Sequence, residues 1–105
     1  MEPYLQVVTT VETRDEAVQL VSRAVTESFA ASAQVSGPVT IVDGNPYRAN
    51  PRDVWQLTLQ TTSRRYEALE TYLLAAHPDP DPDIYAVPLT GPAACLDRLD
   101  RMTLV

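Results

Sequence analysis

Lysine is missing from the sequence, and cysteine and histidine each occur once in 105 residues. Asp and Glu outnumber Lys and Arg by 14 to 8, so the formal net charge is −6. A chain with this charge and no basic stripe is a poor partner for nucleic acid. The single cysteine, Cys95, excludes an internal disulfide and favours a reducing compartment.

Long apolar runs are also missing. No stretch approaches the roughly 20 apolar residues that a membrane-spanning helix needs, and the N-terminus lacks the pattern of a secretory signal. We therefore expect a cytoplasmic protein that does not enter a membrane. The length and the 45% of hydrophobic residues predict one domain, residues 1–105, with a real core. No phosphate-binding loop is expected, because the three glycines are far apart, at Gly37, Gly44 and Gly91.

Proline is abundant in one region. Four of the nine prolines lie between His77 and Pro88, and we call residues 77–83 the proline segment. Because proline forces the preceding residue into extended conformations, the helix before this segment is expected to end at Ala76. The apolar residues Ile84–Val87 then predict a strand that Pro88 ends.

The remaining elements follow from the spacing of apolar residues. Three further strands are predicted at Tyr4–Thr10, Ala33–Val42 and Val54–Thr62. Three helices are predicted at Arg14–Ser28, Arg64–Ala76 and Ala93–Arg101. Thr13 is the expected N-cap of the first helix, where Glu16 completes a capping box. Ser63 is the expected N-cap of the second helix. Pro92 is the expected first residue of the last helix.

The order of these elements is βαββαβ followed by a short C-terminal helix, which is the ferredoxin-like motif of α+β proteins. Right-handed crossovers place both longer helices on one face of a four-stranded antiparallel sheet. A bulge or bend is expected at Gly37-Pro38, and residues 43–53 are predicted to form an exposed hairpin arm. A sheet with one uncovered face favours association with further copies.

Several stretches resemble a known family. The H-P-Y-E-x-P-E-I…L-P signature of the CutA divalent-cation tolerance proteins is similar to His77-Pro78, Pro82, Asp83-Ile84 and Val87-Pro88. Their L-A-A-C and I-K-T motifs are similar to Phe29-Ala30-Ala31-Ser32 and Leu59-Gln60-Thr61. The resemblance implies a ferredoxin-like subunit in a tight homotrimer, with an architecture similar to that of the PII signalling proteins. It also implies a link to copper and other divalent cations, with no settled enzymatic activity.

The chain differs from the family pattern at polar positions. Ser32 stands where the family has cysteine, and Gln60 stands where it has lysine. Asp79 replaces the tyrosine that follows H-P, and Cys95 replaces a tyrosine near the C-terminus. Two functions therefore remain open.

The first possible function is non-enzymatic binding of a divalent cation such as Cu²⁺, as the resemblance implies. The ligands would be His77 and Asp83, which occupies the place of a family glutamate. A strong copper or zinc site needs three or four ligands, so copies of His77 would have to converge around a threefold axis. The structural alternative is that His77 caps the preceding helix by hydrogen-bonding its last carbonyl groups.

The acidic residues of the proline segment suggest a site for a hard cation such as Ca²⁺ or Mg²⁺. Alternating prolines, however, favour a polyproline II conformation, in which Asp79, Asp81 and Asp83 lie about 6 Å apart along the axis and point in different directions. We therefore expect a solvated acidic connector rather than a calcium or magnesium site.

The second possible function is binding of a small organic ligand in the clefts between the subunits of a trimeric scaffold. This hypothesis includes the case in which the protein also catalyses a reaction of that ligand. The replaced polar positions motivate this hypothesis. The predicted cleft residues are Ser32, Trp55, Gln60, His77, Asp83 and Tyr85. No catalytic residue can be assigned and no Ser-His-Asp arrangement is readable, although Ser32, His77 and Asp83 could approach one another across a subunit boundary.

Overall fold

The strands and helices follow one another in the predicted order in the computed structural model, which describes residues 3–104. The strands are β1 (Tyr4–Val11), β2 (Ser32–Ile41), β3 (Arg52–Thr62) and β4 (Tyr85–Pro88). The helices are α1 (Arg14–Thr26), α2 (Ser63–Ala76) and α3 (Ala93–Met102). The predicted βαββαβ order with an additional C-terminal helix is confirmed.

The four strands form one antiparallel sheet in the order β2-β3-β1-β4. The hairpin strands β2 and β3 pair directly, and the two crossovers bring β1 between β3 and β4. This is the predicted ferredoxin-like α+β fold. In the described part of the chain, no helix combines the length and apolarity required to cross a bilayer.

The core lies on one face of the sheet, beneath α1 and α2. The residues of β1 alternate between half-buried and buried positions, and the buried ones include Val7 and Val11. They pack with Leu57 and Leu59 of β3 and with the apolar stripes of both helices. The buried helical residues of this core are Ala17, Leu20, Val21, Ala24, Leu69, Tyr72 and Leu73. The prediction that both longer helices cover one face is thus confirmed.

The first helix begins as predicted but ends earlier. Thr13 is its N-cap and its hydroxyl accepts a hydrogen bond from the Glu16 N–H (3.2 Å). The Glu16 carboxylate accepts from the same hydroxyl (2.8 Å), not from the Thr13 N–H as a capping box requires. The helix ends at Thr26 instead of Ser28, because Ser28 takes the left-handed φ of 60° that closes a Schellman motif.

Other boundaries differ from the prediction by one residue. The N-cap position of α2 belongs to Thr62, without a side-chain cap bond, so the prediction that Ser63 caps this helix is wrong. The N-cap position of α3 belongs to Pro92, which was predicted to be the first helical residue. The last strand begins at Tyr85, one residue after the predicted Ile84, and includes Pro88.

The β2–β3 hairpin contains the predicted irregularity at Gly37-Pro38, where the pairing register shifts between Ser36 and Val39. Residues 42–51 connect the two strands, and we call them the β2–β3 loop. Asp43 organises this loop: its carboxylate accepts from the Asn45 N–H (2.9 Å) and pairs with Arg52 (2.9 Å). These contacts lower the pKa of Asp43 below its ordinary value, the Asn45 N–H most strongly.

Candidate functional site

The single histidine lies where the second helix meets the proline segment. Its backbone N–H donates to the Leu73 carbonyl (2.9 Å), so His77 is the C-cap residue of α2. The residue is only 9% exposed, and its side chain turns towards β1 rather than towards the last carbonyls of the helix. The structural alternative is therefore correct about the position of His77 and wrong about its side-chain partners.

Both ring nitrogens of His77 have partners within the same chain. Nε2 lies 2.9 Å from the Thr10 carbonyl oxygen and 3.1 Å from the Thr9 hydroxyl. Nδ1 accepts a hydrogen bond from the Asp79 N–H (3.0 Å). The ring therefore joins the end of α2, the strand β1 and the proline segment.

Thr9 is a buried member of this network that the sequence reasoning missed. Its hydroxyl donates to the Asp83 carbonyl oxygen (2.7 Å) as well as contacting His77, and the residue is 2% exposed. The strand pattern carried the necessary signal, because Thr9 alternates in phase with the buried Val7 and Val11. A polar residue at a core position requires a partner, and here that partner is the proline segment.

The proline segment also holds the β2–β3 loop. Asp79 forms an ion pair with Arg48, a residue of that loop, and its Oδ1 atom accepts from the Asp81 N–H (3.0 Å). The Asp81 N–H, and after it the Arg48 guanidinium, keep the pKa of Asp79 below its ordinary value. Asp79 in turn raises the pKa of Arg48. The loop therefore lies against its own subunit.

The donor set of one chain does not fit a copper-type centre. Within residues 3–104, no three His, Cys, Asp or Glu side chains are grouped so that they could hold a metal ion. Both ring nitrogens of His77 already have hydrogen-bond partners. Asp83 contacts this network through its backbone carbonyl oxygen, and the residue is exposed. A transition-metal site with three or four ligands would have to draw them from more than one subunit.

The second predicted pair, Ser32 and Gln60, lies on the opposite face of the sheet. The Ser32 hydroxyl donates to the Gln60 Oε1 atom (2.8 Å), and the two residues are direct cross-strand partners. Across the sheet the same row continues through Gln6 to Val87. Because opposed residues of an antiparallel sheet point to the same side, this row lies on the face that α1 and α2 leave uncovered.

We call the central rows of this surface the open face; the row of Tyr4 and Thr62 at its end is not included, because the Tyr4 hydroxyl donates to Asp100 of α3 (2.7 Å). Its next rows are equally free of charge, since Thr58 pairs with Gln34 and Val8, and Gln56 with Ser36 and Thr10. The open face consists of Gln6, Val8, Thr10, Ser32, Gln34, Ser36, Gln56, Thr58, Gln60, Tyr85 and Val87. None of these side chains carries a charge at neutral pH.

The predicted cleft residues do not form one cluster within a subunit. Tyr85 shares the open face with Ser32 and Gln60, and it is 64% exposed. Trp55 pairs with Val11 and packs against the core on the other face. His77 lies on that side too, where its ring contacts the buried Thr9. A single cleft could include all of them only if a second subunit contributed some.

A cavity of about 620 Å³ lies between the start of α1, the β2–β3 loop and the proline segment. His77 is the one predicted cleft residue that lines it, together with Arg48 and Asp79. Its other charged lining residues are Glu12, Glu16, Arg52 and Asp53. The cavity is therefore polar and has carboxylates as well as guanidinium groups in its wall.

The fold and this arrangement define the chain as a ferredoxin-like α+β protein with an uncharged open face and a histidine-centred junction. A model of the CutA1 divalent ion tolerance protein family matches residues 5–97. The chain belongs to the CutA1 divalent ion tolerance protein family, as the resemblance implied. No curated protein matches its sequence.

Solved structures of other CutA proteins are similar to this chain over nearly its whole length. CutA from Synechococcus elongatus is 24% identical, with a TM-score of 0.91 over 99% of this chain and 93% of the other. CutA1 from Ehrlichia chaffeensis is 18% identical, with a TM-score of 0.90 over 100% and 99%. The divalent cation tolerance protein of Thermus thermophilus is 25% identical, with a TM-score of 0.84 over 91% and 94%. These likenesses agree with the fold described above.

Proposed function

We propose that the chain works as a homotrimer of the CutA type with a role in divalent-cation tolerance. The open face is the observation that carries this proposal. A chain with a net charge of −6 leaves the central rows of this sheet face without a charge, although exposed surfaces of soluble proteins are usually rich in charge. Depletion of charge marks the cores of protein interfaces.

Apolar side chains at the border of the open face support the same proposal. Tyr85 and Val87 of the edge strand β4 are 64% and 44% exposed, respectively. A second copy that covers the open face would remove this apolar surface from water. The number of copies, three, comes from the family resemblance. The predicted clasp at residues 43–53 would have to reach a neighbouring copy while Arg48 stays paired with Asp79 of its own subunit.

The trimer is tested by placing one charge in the middle of the open face. Thr58 is half-buried there, between Gln34 and Val8. In Thr58→Glu, association would bury an unpaired carboxylate, so we expect the variant to be monomeric where the unchanged chain is trimeric. Native mass spectrometry and light scattering measure the mass, and circular dichroism checks that the monomer is folded.

Thr71→Glu is the matched control, because Thr71 is exposed on α2 and lies away from the open face. This variant should keep the trimer mass. A monomeric unchanged chain, or a trimeric Thr58→Glu variant, would contradict the proposal that the open face is the subunit contact.

Copper-type binding through His77 and Asp83 stays a prediction that follows from the family. Residues 3–104 of one subunit do not group enough donors, so the ligands of a strong site would have to meet across subunits. Titration calorimetry with Cu²⁺ on the unchanged chain and on His77→Ala tests this. Strong binding that His77→Ala abolishes supports the prediction, and identical weak isotherms for both proteins remove it.

The alternative function is binding of a small organic ligand in or beside a subunit cleft. The cavity of about 620 Å³ next to His77 favours it, because ligand pockets commonly measure about 300–1,000 Å³. Native mass spectra of the protein purified from its own cells test this alternative, since a bound ligand adds a fixed mass per subunit. Spectra without added mass argue against it.

The cytoplasmic location also stays a prediction.

A further inference from the structure

We infer that His77 serves this chain as a neutral structural tie rather than as a metal ligand. In this role its ring holds the proline segment on β1 and positions Asp79 against Arg48 of the β2–β3 loop. The inference does not depend on the proposed trimer, because every contact that carries it lies within one subunit. It departs from the copper-ligand hypothesis stated from the sequence.

The partners of the ring determine its tautomer. The Thr10 carbonyl can only accept a hydrogen bond, so the Nε2 atom that lies 2.9 Å from it must carry the proton. The backbone N–H of Asp79 can only donate, so the Nδ1 atom that lies 3.0 Å from it must be bare. These two contacts are satisfied together by one form of the ring, the neutral Nε2–H tautomer.

The Thr9 hydroxyl agrees with this assignment. It donates its own proton to the Asp83 carbonyl oxygen (2.7 Å), so towards Nε2, at 3.1 Å, it can act only as an acceptor. The Nε2 proton is then shared between the Thr10 carbonyl and the Thr9 hydroxyl. All three neighbours therefore require the same proton position.

Coordination of a metal ion would break this network at either nitrogen. A metal on Nδ1 displaces the Asp79 N–H, and a metal on Nε2 requires the loss of the proton that Thr9 and Thr10 accept. Each case removes hydrogen bonds that are buried or part-buried, which is unfavourable. His77 is 9% exposed, and its contact with the Thr9 hydroxyl is buried.

The network extends from His77 to the β2–β3 loop. The N–H of Asp79 is bonded to the ring, and its carboxylate is paired with Arg48. The ring therefore fixes the backbone of the residue that anchors the loop. Loss of the ring should free the proline segment and the loop together, whereas loss of Arg48 should free the loop alone.

The first test uses the fact that each chain has one histidine. Nitrogen-15 NMR spectra of the ring should identify the neutral Nε2–H tautomer at neutral pH. Addition of one equivalent of Zn²⁺, a diamagnetic ion, should leave both ring nitrogen signals in place. An Nδ1–H tautomer, or ring signals that move with Zn²⁺, would overturn the inference.

A variant with a second, exposed imidazole is the control for this spectrum. Thr71→His places one on the exposed side of α2. Its signals should average between tautomers and respond to excess Zn²⁺, while those of His77 should not. Equal responses of the two rings would contradict the inference.

The second test measures amide hydrogen exchange in variants. In His77→Ala, exchange should increase by roughly five- to tenfold at Asp79, the effect of one lost hydrogen bond. It should also increase at Asn45 and Tyr47, whose N–H groups are bonded within the loop. In Arg48→Ala, exchange should increase at Asn45 and Tyr47 and stay unchanged at Asp79.

The asymmetry between the two variants decides the question. If loop exchange in His77→Ala stays at the level of the unchanged chain, the ring does not position the loop and the inference is wrong. If His77→Ala does not fold, the spectrum of the unchanged chain with Zn²⁺ still decides between tie and ligand.

Discussion

At the scale of single residues, Gly37 occupies a position that a side chain would disturb. Its φ is +154°, and a Cβ atom added to it would lie 3.0 Å from two ring carbons of Trp55 and 3.1 Å from the Val54 carbonyl oxygen. We expect Gly37→Ala to lower the free energy of unfolding by roughly 1–3 kcal/mol through backbone strain and overpacking. Urea unfolding at one fixed protein concentration measures this change.

Gly44→Ala is the control for this prediction. No heavy atom lies within 4 Å of a Cβ added at Gly44, and an alanine there should change the stability by less than about 0.5 kcal/mol. If the two variants unfold at the same urea concentration, the close contact with Trp55 does not constrain the residue at position 37.

Residue-level prediction succeeded where the signal was local. The Thr13 cap was predicted from its place just before a helical pattern, and the irregularity at Gly37-Pro38 from the two residues themselves. The partners of His77 were not predicted, because Thr9 and Thr10 lie 68 and 67 residues away along the chain. Only the strand pairing brings them to the ring.

At the scale of elements, the end of the first helix gives a prediction with a defined sign. The Phe29 and Ser28 N–H groups donate to the Ala24 and Val25 carbonyls, which is a Schellman motif with a serine in the left-handed position. Glycine adopts that conformation without the steric cost that serine pays. We expect Ser28→Gly to raise the free energy of unfolding by about 0.5–1 kcal/mol, measured by urea unfolding.

The same substitution inside the helix should have the opposite effect. Ser22 is exposed within α1, so Ser22→Gly adds backbone entropy to the unfolded chain and should cost about 0.5 kcal/mol or slightly more. A loss of stability in Ser28→Gly would mean that the side chain of Ser28, rather than its φ, determines this helix end.

The elements themselves were predicted well because proline and apolar spacing are local signals. The predicted extents of β1, β3 and α2 differ from the structure by no more than two residues at either end. The helix end at Thr26 was not predicted, because no glycine marks it and Ser28 takes the left-handed position instead. The position of the β2–β3 loop was not predicted either, since it depends on the distant ion pair between Arg48 and Asp79.

At the scale of the whole molecule, the sequence predicted a sheet with one covered and one polar face. The alternation in Val54–Thr62 carried that prediction, and the structure extends it, since every residue of the open face lacks a charge. What lies against this face could not be read from the sequence, because a contact with another molecule leaves no pattern of spacing along the chain. The same limit applies to the cleft residues, which the fold divides between two faces.

The uncharged open face leads to a prediction about salt. Salt weakens the interactions between charges at an interface, because screening acts over about 10 Å at 0.1 M ionic strength. Salt does not weaken apolar contacts or hydrogen bonds between neutral groups in this way. Each copy also carries a net charge of −6, and salt screens the resulting repulsion between copies. We therefore expect the mass of the proposed trimer to stay the same from about 0.05 M to 1 M NaCl, as measured by sedimentation velocity. Dissociation at high salt would mean that ion pairs hold the copies together, and that a charged surface elsewhere on the subunit forms the contact.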